Sequence, residues 1–386
     1  MIELAFWILL GLIAYTYAGY PVLLVLLSRV INRPVRRDPD HRPSVTLLVC
    51  AYNEAAIIEE KVRNCLELEY PEGRLEIAVA SDGSSDGTAE IVRRYAHRGV
   101  RLFDYDVNRG KVLTLNETIP QLSGEIVVLS DASVIYDPRA VLELVPAFAD
   151  PQVGGVWGDK VYRNPGEVIS GEGESLYLRY EKFSKRCENR LGSIVSAEGS
   201  MFAVRKAIYE PMPDPAVADD YYLSAFIRHA GFRLVYEPRA RSFEDVAPTS
   251  GDEYRRKVRI IQGGLRGFWL MKHLCNPLRT GVYSIQIISR QFLRRAVALL
   301  FPLVLVLNLL IVVGEPSWLY GLMLAGQLGI LFLALVGRRM VAAHGRAPFL
   351  VYAPYYFAMV NVASIHGIWN WVTGKLAVVW EPTTRT

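Results

Sequence analysis

Long uncharged apolar segments lie at both ends of this 386-residue chain and constrain its fold more than any other feature. No charged residue occurs between Leu4 and Leu27, and a helix needs about 20 apolar residues to cross a bilayer core of about 30 Å. A cleaved signal peptide carries positive charge before its apolar core, whereas here the arginines follow it, at Arg29, Arg33, Arg36, Arg37 and Arg42. We therefore predict that residues 1–43 form an uncleaved anchor with a basic juxtamembrane segment, its N-terminus outside and the following chain in the cytoplasm.

The C-terminal region, residues 296–386, repeats this pattern. Ala296–Gly314 and Pro316–Gly337 are uncharged on either side of Glu315, which predicts two spans joined by an external turn. The stretch Ala347–Gly374 is also long enough to span, and both full crossing and re-entry remain open. A short tail follows it. Basic residues between the second and third stretches favour a cytoplasmic position, namely Arg338, Arg339 and Arg346.

Composition argues against several other classes of protein. Hydrophobic residues make up 51% of the chain and charged residues 21%, a mixture typical neither of a soluble enzyme nor of a bundle made only of spans. The net charge of +4 comes with no basic face interleaved with aromatic residues, so we predict no nucleic-acid partner. No Cys-x-x-Cys pair supports a disulfide framework or a zinc knuckle, since the four cysteines lie far apart, at Cys50, Cys65, Cys187 and Cys275.

The middle of the chain, residues 44–250, alternates short apolar runs with amphipathic ones, which predicts β-α units and a mostly parallel sheet. The predicted strands are Val45–Ala51, Glu76–Ser81, Arg101–Phe103 and Ile126–Ser130. The predicted helices between them are Ala55–Leu66, Thr88–His97 and Lys111–Leu122. In such sheets ligands bind beyond the carboxyl ends of the strands, so functional residues are expected there.

Polar residues follow three of these strands. Tyr52-Asn53-Glu54 follows the first, Asp82 to Gly87 follows the second, and Asp131-Ala132-Ser133 follows the strand that ends at Ser130. One interpretation is structural, because Ser85 or Asp86 can cap the next helix. The other is a nucleotide site without a glycine-rich phosphate loop, in which Asp82 binds the nucleoside and Asp131 holds a divalent cation against a diphosphate.

With these motifs the chain resembles the inverting family 2 glycosyltransferases, in particular the membrane-embedded branch that includes cellulose, chitin, hyaluronan and poly-N-acetylglucosamine synthases. The resemblance covers about Val45 to Gly264 and the layout of spans. It implies a GT-A-type nucleotide-sugar-binding domain, a UDP-sugar donor, Mg²⁺ or Mn²⁺, and a glycan or lipid-linked acceptor at the bilayer.

The resemblance also implies roles for individual residues. It places Ala51, Tyr52, Glu54, Asp82, Lys111, Asp131 and Arg259 at the nucleotide sugar. It places Asp131 and Ser133 at the metal, and Glu198, Gly199 and Ser200 on the acceptor side. Asp219 and Asp220 match the Glu-Asp motif, of which Asp220 is the expected base. For the acid pair, a helix N-terminus that attracts negative charge is the structural alternative, and for Glu198 it is pairing with a nearby arginine.

Two positions depart from the family pattern. Ser133 replaces the second metal aspartate of many members. The Gln-x-x-Arg-Trp motif of processive synthases reads Arg256 to Ile260 here, and only Arg259 matches. The layout of spans resembles that of the processive branch and makes extension of a glycan the expected function. The missing Gln and Trp argue against polymer formation and leave transfer of one sugar to a polyprenyl phosphate or glycolipid as the alternative. A non-catalytic export subunit is a minor alternative.

The segment 251–295 combines many basic residues with the aromatic pair Phe268-Trp269. Such a composition is typical of amphipathic helices that lie in the headgroup layer of a bilayer. We expect this segment to close the site from the membrane side.

Overall fold

The computed structural model describes residues 1–163, 170–245, 250–345 and 347–375. Arg346, which the topology prediction used, and the predicted tail from residue 376 onward lie outside the described residues. The described part combines one central sheet, helices on both of its faces and a group of long apolar helices.

The sheet has eight strands in the order β3-β2-β1-β4-β7-β6-β8-β5 across the described chain. β1 to β4 are mutually parallel where they pair, whereas β7 runs antiparallel to both β4 and β6. β6 and β8 pair in parallel, and β5 pairs antiparallel with β8. The strands are β1 Val45–Ala51, β2 Leu75–Asp82, β3 Val100–Tyr105, β4 Ile126–Asp131, β5 Ile135–Tyr136, β6 Val153–Tyr162, β7 Phe202–Arg205 and β8 Arg233–Glu244.

The main helices connect the strands or follow the sheet. The first is α1 (Ile2–Val30), which includes one π-helical turn. The others of the sheet region are α2 (Ile58–Leu66), α3 (Thr88–Arg93), α4 (Lys111–Thr118), α5 (Ala140–Leu144), α6 (Ser170–Leu191) and α7 (Asp219–His229). The last four are α8 (Ser250–Leu270), α9 (Val282–Gly314), α10 (Trp318–His344) and α11 (Phe349–Thr373).

Two hydrophobic layers cover the two faces of the sheet. All seven residues of β1 are buried, as expected of a parallel strand covered on both sides. Because successive side chains of a strand alternate, Leu48 packs into one layer with Leu115 and Trp157, and Leu47 packs into the other. The strand ends are thereby held in one rigid layer, which fixes the side chains that follow them.

Three helices of the described chain are long and apolar enough to cross a membrane: α1, α9 and α10. Phe6 of α1 packs against Val304 of α9, and the Trp7 indole nitrogen donates to the Tyr320 hydroxyl of α10 at 3.0 Å. Since α9 begins at Val282, the domain boundary predicted at residue 295 lies inside a continuous helix. α11 is a single helix of 25 residues, and its crossing of the membrane remains a prediction.

Buried ion pairs join the apolar helices to the sheet domain. Arg290 of α9 binds both Glu181 and Glu188 of α6. The Tyr20 hydroxyl of α1 donates to Glu188 at 2.9 Å. On the other side Gly367 of α11 lies so close to α8 that a Cβ there would come within 2.8 Å of an Ile261 methyl carbon. The helices and the sheet therefore form one packed body around the strand ends.

Candidate active site

The carboxyl ends of β1, β2 and β4 lie side by side. Ala51 ends β1 opposite Ser81 of β2, and Cys50 lies opposite Asp131 of β4. Asp82 and Asp131 are the last residues of their strands. The structure thus brings together the three polar segments that the sequence places after strands.

The loops after β1 and β2 bind one another. The Asn53 amide donates to the Ser84 hydroxyl at 3.1 Å, and the Ser85 amide donates to the Asn53 side-chain oxygen at 2.8 Å. Asp86 accepts from the backbone amides of Ala55 and Thr88. Asp86 therefore links the two loops, whereas the N-cap of the helix that begins at Thr88 is Gly87 and not Ser85 or Asp86.

Tyr52 and Glu54 lie half-buried on the loop after β1. The Glu54 amide donates to the Thr88 hydroxyl at 2.9 Å, and Asn53 adopts a left-handed backbone with φ 52°. This conformation turns the chain sharply beyond Ala51. Nucleotide binding by Ala51, Tyr52 and Glu54 remains a prediction.

Asp82 fixes the loop that precedes Lys111. It is fully buried, and its two oxygens accept from the amides of Arg109 at 3.1 Å and Gly110 at 2.8 Å. The next residue, Gly83, has φ +70°, and a Cβ there would lie 2.3 Å from the Asn108 nitrogen. Asp82 therefore has a clear structural role, while its contact with a nucleoside remains a prediction.

Lys111 lies between two carboxylates from different elements. Its ammonium is 2.8 Å from an oxygen of Asp131 at the end of β4 and 3.1 Å from an oxygen of Asp219 at the start of α7. Burial alone would lower the pKa of Lys111, but the two carboxylates raise it well above its usual value. Conversely, burial would raise the pKa of Asp131, but Lys111 lowers it. The Lys111 ammonium thus links Asp131, the predicted metal ligand, to the motif that contains the predicted base.

Asp220 differs from Asp219 in its surroundings. One Asp220 oxygen accepts from the Tyr221 amide at 2.7 Å, and no ion pair of the described residues involves its carboxylate. Burial and the neighbouring Asp219 charge raise the pKa of Asp220 to about 7. A carboxylate with a pKa near neutrality is suited to accept and release a proton at physiological pH.

Asp131 and Ser133 place two side chains with oxygen atoms at one turn. The Asp131 side chain is 40% exposed, with one oxygen bound to Lys111, and Ser133 follows in the turn between β4 and β5. No group of three or more His, Cys, Asp or Glu side chains forms a closed metal site in the described part of the chain. Mg²⁺ commonly binds one or two carboxylates and takes its remaining ligands from substrate phosphates and water. These residues fit such a shared site.

The Glu198–Ser200 segment lies directly against the Lys111 pair. A Cβ at Gly199 would lie 3.1 Å from the second oxygen of Asp131 and 3.2 Å from the Lys111 nitrogen, so a larger residue there would press on this ion pair. Ser200 is buried. The segment predicted to face the acceptor therefore lies next to the carboxylate predicted to face the donor.

Glu198 is neutralised by lysines, whereas an arginine was the expected structural partner. Its oxygens lie 2.8 Å from the Lys160 ammonium and 3.1 Å from that of Lys185, and both lysines are buried. Burial would raise the pKa of Glu198, but the two ammonium groups hold it well below its usual range. Acceptor contact by Glu198, Gly199 and Ser200 remains a prediction.

Arg256 on α8 acts electrostatically on Asp131. Arg259 lies exposed on α8. After burial and Lys111, the charge of Arg256 is a further influence on the pKa of Asp131, which it lowers. Arg256 lies one turn earlier on the same helix, at the position of the family's glutamine. Contact of Arg259 with a diphosphate remains a prediction.

Four basic residues around the site were absent from the predicted set: Lys61, Lys160, Lys185 and Arg256. Lys61 had a visible sequence signature, because it lies three residues after Ile58 and one before Val62, within the apolar stripe of its helix. A lysine at a core position is rare enough to indicate a buried role.

One mostly parallel sheet with helices on both faces and the site at its strand ends is the architecture of a GT-A glycosyltransferase fold. The structure is similar to that of a mannosyltransferase from Pyrobaculum calidifontis solved with GDP-Man and Mn²⁺, with a TM-score of 0.74 and 22% sequence identity over 97% of this chain and 100% of that one. This likeness confirms the predicted fold class.

The chain belongs to the glycosyltransferase-like family 2, whose profile matches residues 41–263. It is 29% identical to the poly-β-1,6-N-acetyl-D-glucosamine synthase of Staphylococcus epidermidis over 266 residues, which is 66% of this chain and 64% of the relative. It is 30% identical to the Staphylococcus aureus (strain COL) protein of the same name over 269 residues, 67% of this chain and 65% of the relative. The match thus spans less than two thirds of these relatives.

Proposed function

We propose that this chain is a membrane glycosyltransferase that transfers a sugar from a nucleoside diphosphate sugar to a hydroxyl of a growing glycan. The observation that carries the proposal is the Lys111 bridge. It joins Asp131, the candidate diphosphate and metal residue, to Asp219, the neighbour of the candidate base. The residues proposed for the donor and those proposed for the acceptor are thereby joined at the Lys111 ammonium.

The transfer is a single displacement. The acceptor oxygen attacks the anomeric carbon, the bond from that carbon to the diphosphate oxygen breaks, and Asp220 takes the acceptor proton. Lys111 donates hydrogen bonds to the leaving oxygens once the diphosphate binds beside Asp131. Attack opposite the leaving group inverts the configuration at the anomeric carbon.

A divalent cation is part of the proposed site. Asp131 and Ser133 would hold Mg²⁺ or Mn²⁺, which neutralises charge on the departing diphosphate. The remaining work falls to protein groups: Asp82 holds the Lys111 loop, and Gly199 lets the segment Glu198–Ser200 approach Asp131 closely.

The names of the curated relatives support a polymer of N-acetylglucosamine as the product. UDP-N-acetylglucosamine is therefore the first donor to test. GDP-mannose belongs in the same panel because it is the ligand of the structural neighbour, although 22% identity extends only the fold to this chain.

A second candidate is transfer of a single sugar to a polyprenyl phosphate or a glycolipid. It is favoured by the Gln-x-x-Arg-Trp positions, where Arg256 and Ile260 stand. Ile260 is 42% exposed on α8 and has no aromatic face on which a sugar ring of a growing chain could stack. Processive synthesis would then need another aromatic residue at the acceptor.

The proposed topology places the sheet domain, residues 44–250, in the cytoplasm, where nucleotide sugars are made. The arginines from Arg29 to Arg42 support this orientation. In the segment 251–295, Trp269 and Leu270 are exposed beside Lys272, which supports a position at the headgroup layer.

The test is diphosphate release by the detergent-purified protein with a panel of nucleotide sugars and Mg²⁺ or Mn²⁺, followed by sizing of labelled product. Release with a high-mass product supports glycan extension and identifies the donor. Release with a lipid that carries one sugar supports the second candidate. No release with any donor, in the presence of lipid extract and glycan primers, contradicts both and supports a non-catalytic subunit.

A further inference from the structure

Lys61 on α2 is a buried cation near the site that the proposed mechanism does not use. Its side chain is fully buried, and no carboxylate forms an ion pair with it among the described residues. Its ammonium donates to the Val134 carbonyl at 2.5 Å and lies 3.9 Å from the centre of the Tyr136 ring. Burying an ammonium without an acidic partner is costly, so this arrangement calls for a function.

The groups that Lys61 contacts belong to the turn that carries Asp131 and Ser133. The Val134 amide closes that turn by donating to the Asp131 carbonyl at 3.3 Å. One helical turn after Lys61, Asn64 binds both backbone groups of Tyr136, donating to its carbonyl at 2.9 Å and accepting from its amide at 2.8 Å. Helix α2 therefore holds both ends of the segment from Val134 to Tyr136.

Tyr136 continues this connection to the acceptor side. Its side chain is 1% exposed, and its hydroxyl donates to the Ser200 carbonyl at 3.0 Å. Ser200 follows Gly199, which lies against Asp131 and Lys111. The hydrogen bond thus fixes the distance between the segment Glu198–Ser200 and the turn with Asp131.

We propose that Lys61 and Tyr136 are positioning residues that act on different substrates: Lys61 sets the turn that receives the cation and diphosphate, and the Tyr136 hydroxyl sets the acceptor-side segment. This inference rests on the proposed function. Neither side chain contacts the reacting atoms, and each acts through one backbone carbonyl. Partners of this outer kind typically change metal affinity or activity about 10- to 100-fold when removed.

The two variants have distinct expected effects. Lys61→Met removes the hydrogen bond to Val134 and the buried charge, so binding of UDP or GDP with Mn²⁺ weakens about 10-fold or more. Tyr136→Phe keeps the ring beside Lys61 and removes only the hydroxyl. Its nucleotide affinity stays within about twofold of wild type, whereas kcat falls or the acceptor KM rises about 10-fold.

Matched controls remove the same kinds of bond away from the site. Tyr70→Phe deletes a tyrosine hydroxyl that donates to the Pro43 carbonyl at 2.7 Å, at the opposite end of the strands. Lys206→Met deletes a lysine that donates to backbone carbonyls of Pro120 and Leu122. Both controls should leave nucleotide binding and turnover at wild-type values.

The experiment measures nucleotide binding by titration calorimetry, Mn²⁺ binding by electron paramagnetic resonance, and turnover, on all four variants in one detergent. Equal loss of both functions in Lys61→Met and Tyr136→Phe, or wild-type behaviour of Tyr136→Phe, would overturn the inference. A wild-type protein without turnover contradicts the proposed function. The binding measurements still decide the role of Lys61, because unaltered nucleotide and Mn²⁺ affinity in Lys61→Met would refute it. If Lys61→Met does not fold, Tyr136→Phe decides through its split between nucleotide affinity and turnover.

Discussion

At the scale of single residues, Asp220 is the group on which turnover is expected to depend most. Asp220→Asn keeps the shape of the side chain but removes the proton acceptor, so kcat should fall by about 10² to 10⁴. Nucleotide affinity should stay within a few fold, because the base acts on the acceptor. Diphosphate release and nucleotide titration measure the two effects, with exposed Asp40→Asn as the control. Unchanged turnover would contradict the assignment.

The pKa of Asp220 also predicts a pH dependence. Burial and Asp219 raise this pKa to about 7, and only the ionised carboxylate accepts a proton. The ratio kcat/KM should therefore rise with pH up to about 7 and then level off. Asp219→Asn removes the second cause of the raised Asp220 pKa, so the rise of kcat/KM should move to lower pH. A ratio that falls as pH rises through 7 would exclude Asp220 as the base.

The site residues show what sequence can and cannot predict at this scale. Asp131 was expected at the site from the end of a predicted strand, and Lys111 and Asp219 were expected there from the family resemblance. The structure places Lys111 in contact with both acids. The lysines around Glu198 were not expected, because the pairing joins β6, α6 and the chain before β7. Such pairing depends on tertiary packing and leaves no local pattern.

At the scale of elements, the first four strands were predicted to within two residues because each alternates with a helix. The later strands were missed for physical reasons. β5 has two residues and β7 four, too few for a periodic pattern. β6 and β8 change register at Gly158 and Asp159, opposite a segment that includes Pro238. Such an irregularity disrupts the alternation on which strand prediction depends.

Among the variants considered, we expect the largest loss of stability from one that breaks the contact between α6 and α9. Arg290→Met would leave Glu181 and Glu188 buried without their shared cation, although Arg294 still binds Glu181 at 2.5 Å. Removing one partner of a buried pair typically costs about 3–5 kcal/mol. Thermal denaturation in detergent should show a clearly lower midpoint. Arg93→Met breaks exposed pairs and should change the free energy of unfolding by less than about 1 kcal/mol. Equal midpoints for the two variants would contradict this role of Arg290.

At the scale of the whole molecule, the orientation in the membrane is the prediction that links fold to substrate supply. The arginines after α1 favour a cytoplasmic sheet domain and an external turn between α9 and α10. Glu72 is exposed on the sheet domain and Glu315 is exposed in that turn. The single substitutions Glu72→Cys and Glu315→Cys therefore probe opposite sides of the bilayer.

A membrane-impermeant maleimide applied to intact cells should label Glu315→Cys and leave Glu72→Cys unlabelled until the cells are opened. The native cysteines interfere little, because Cys50, Cys65 and Cys187 are buried and Cys275 is partly buried. The unsubstituted protein measures what labelling remains. Labelling of Glu72→Cys alone would invert the topology and place the active site away from cytoplasmic nucleotide sugars. The apolar helices pack against the rest of the chain through Arg290 and Gly367. The side of the membrane on which the turn with Glu315 lies therefore determines the side on which the acceptor must meet the active site.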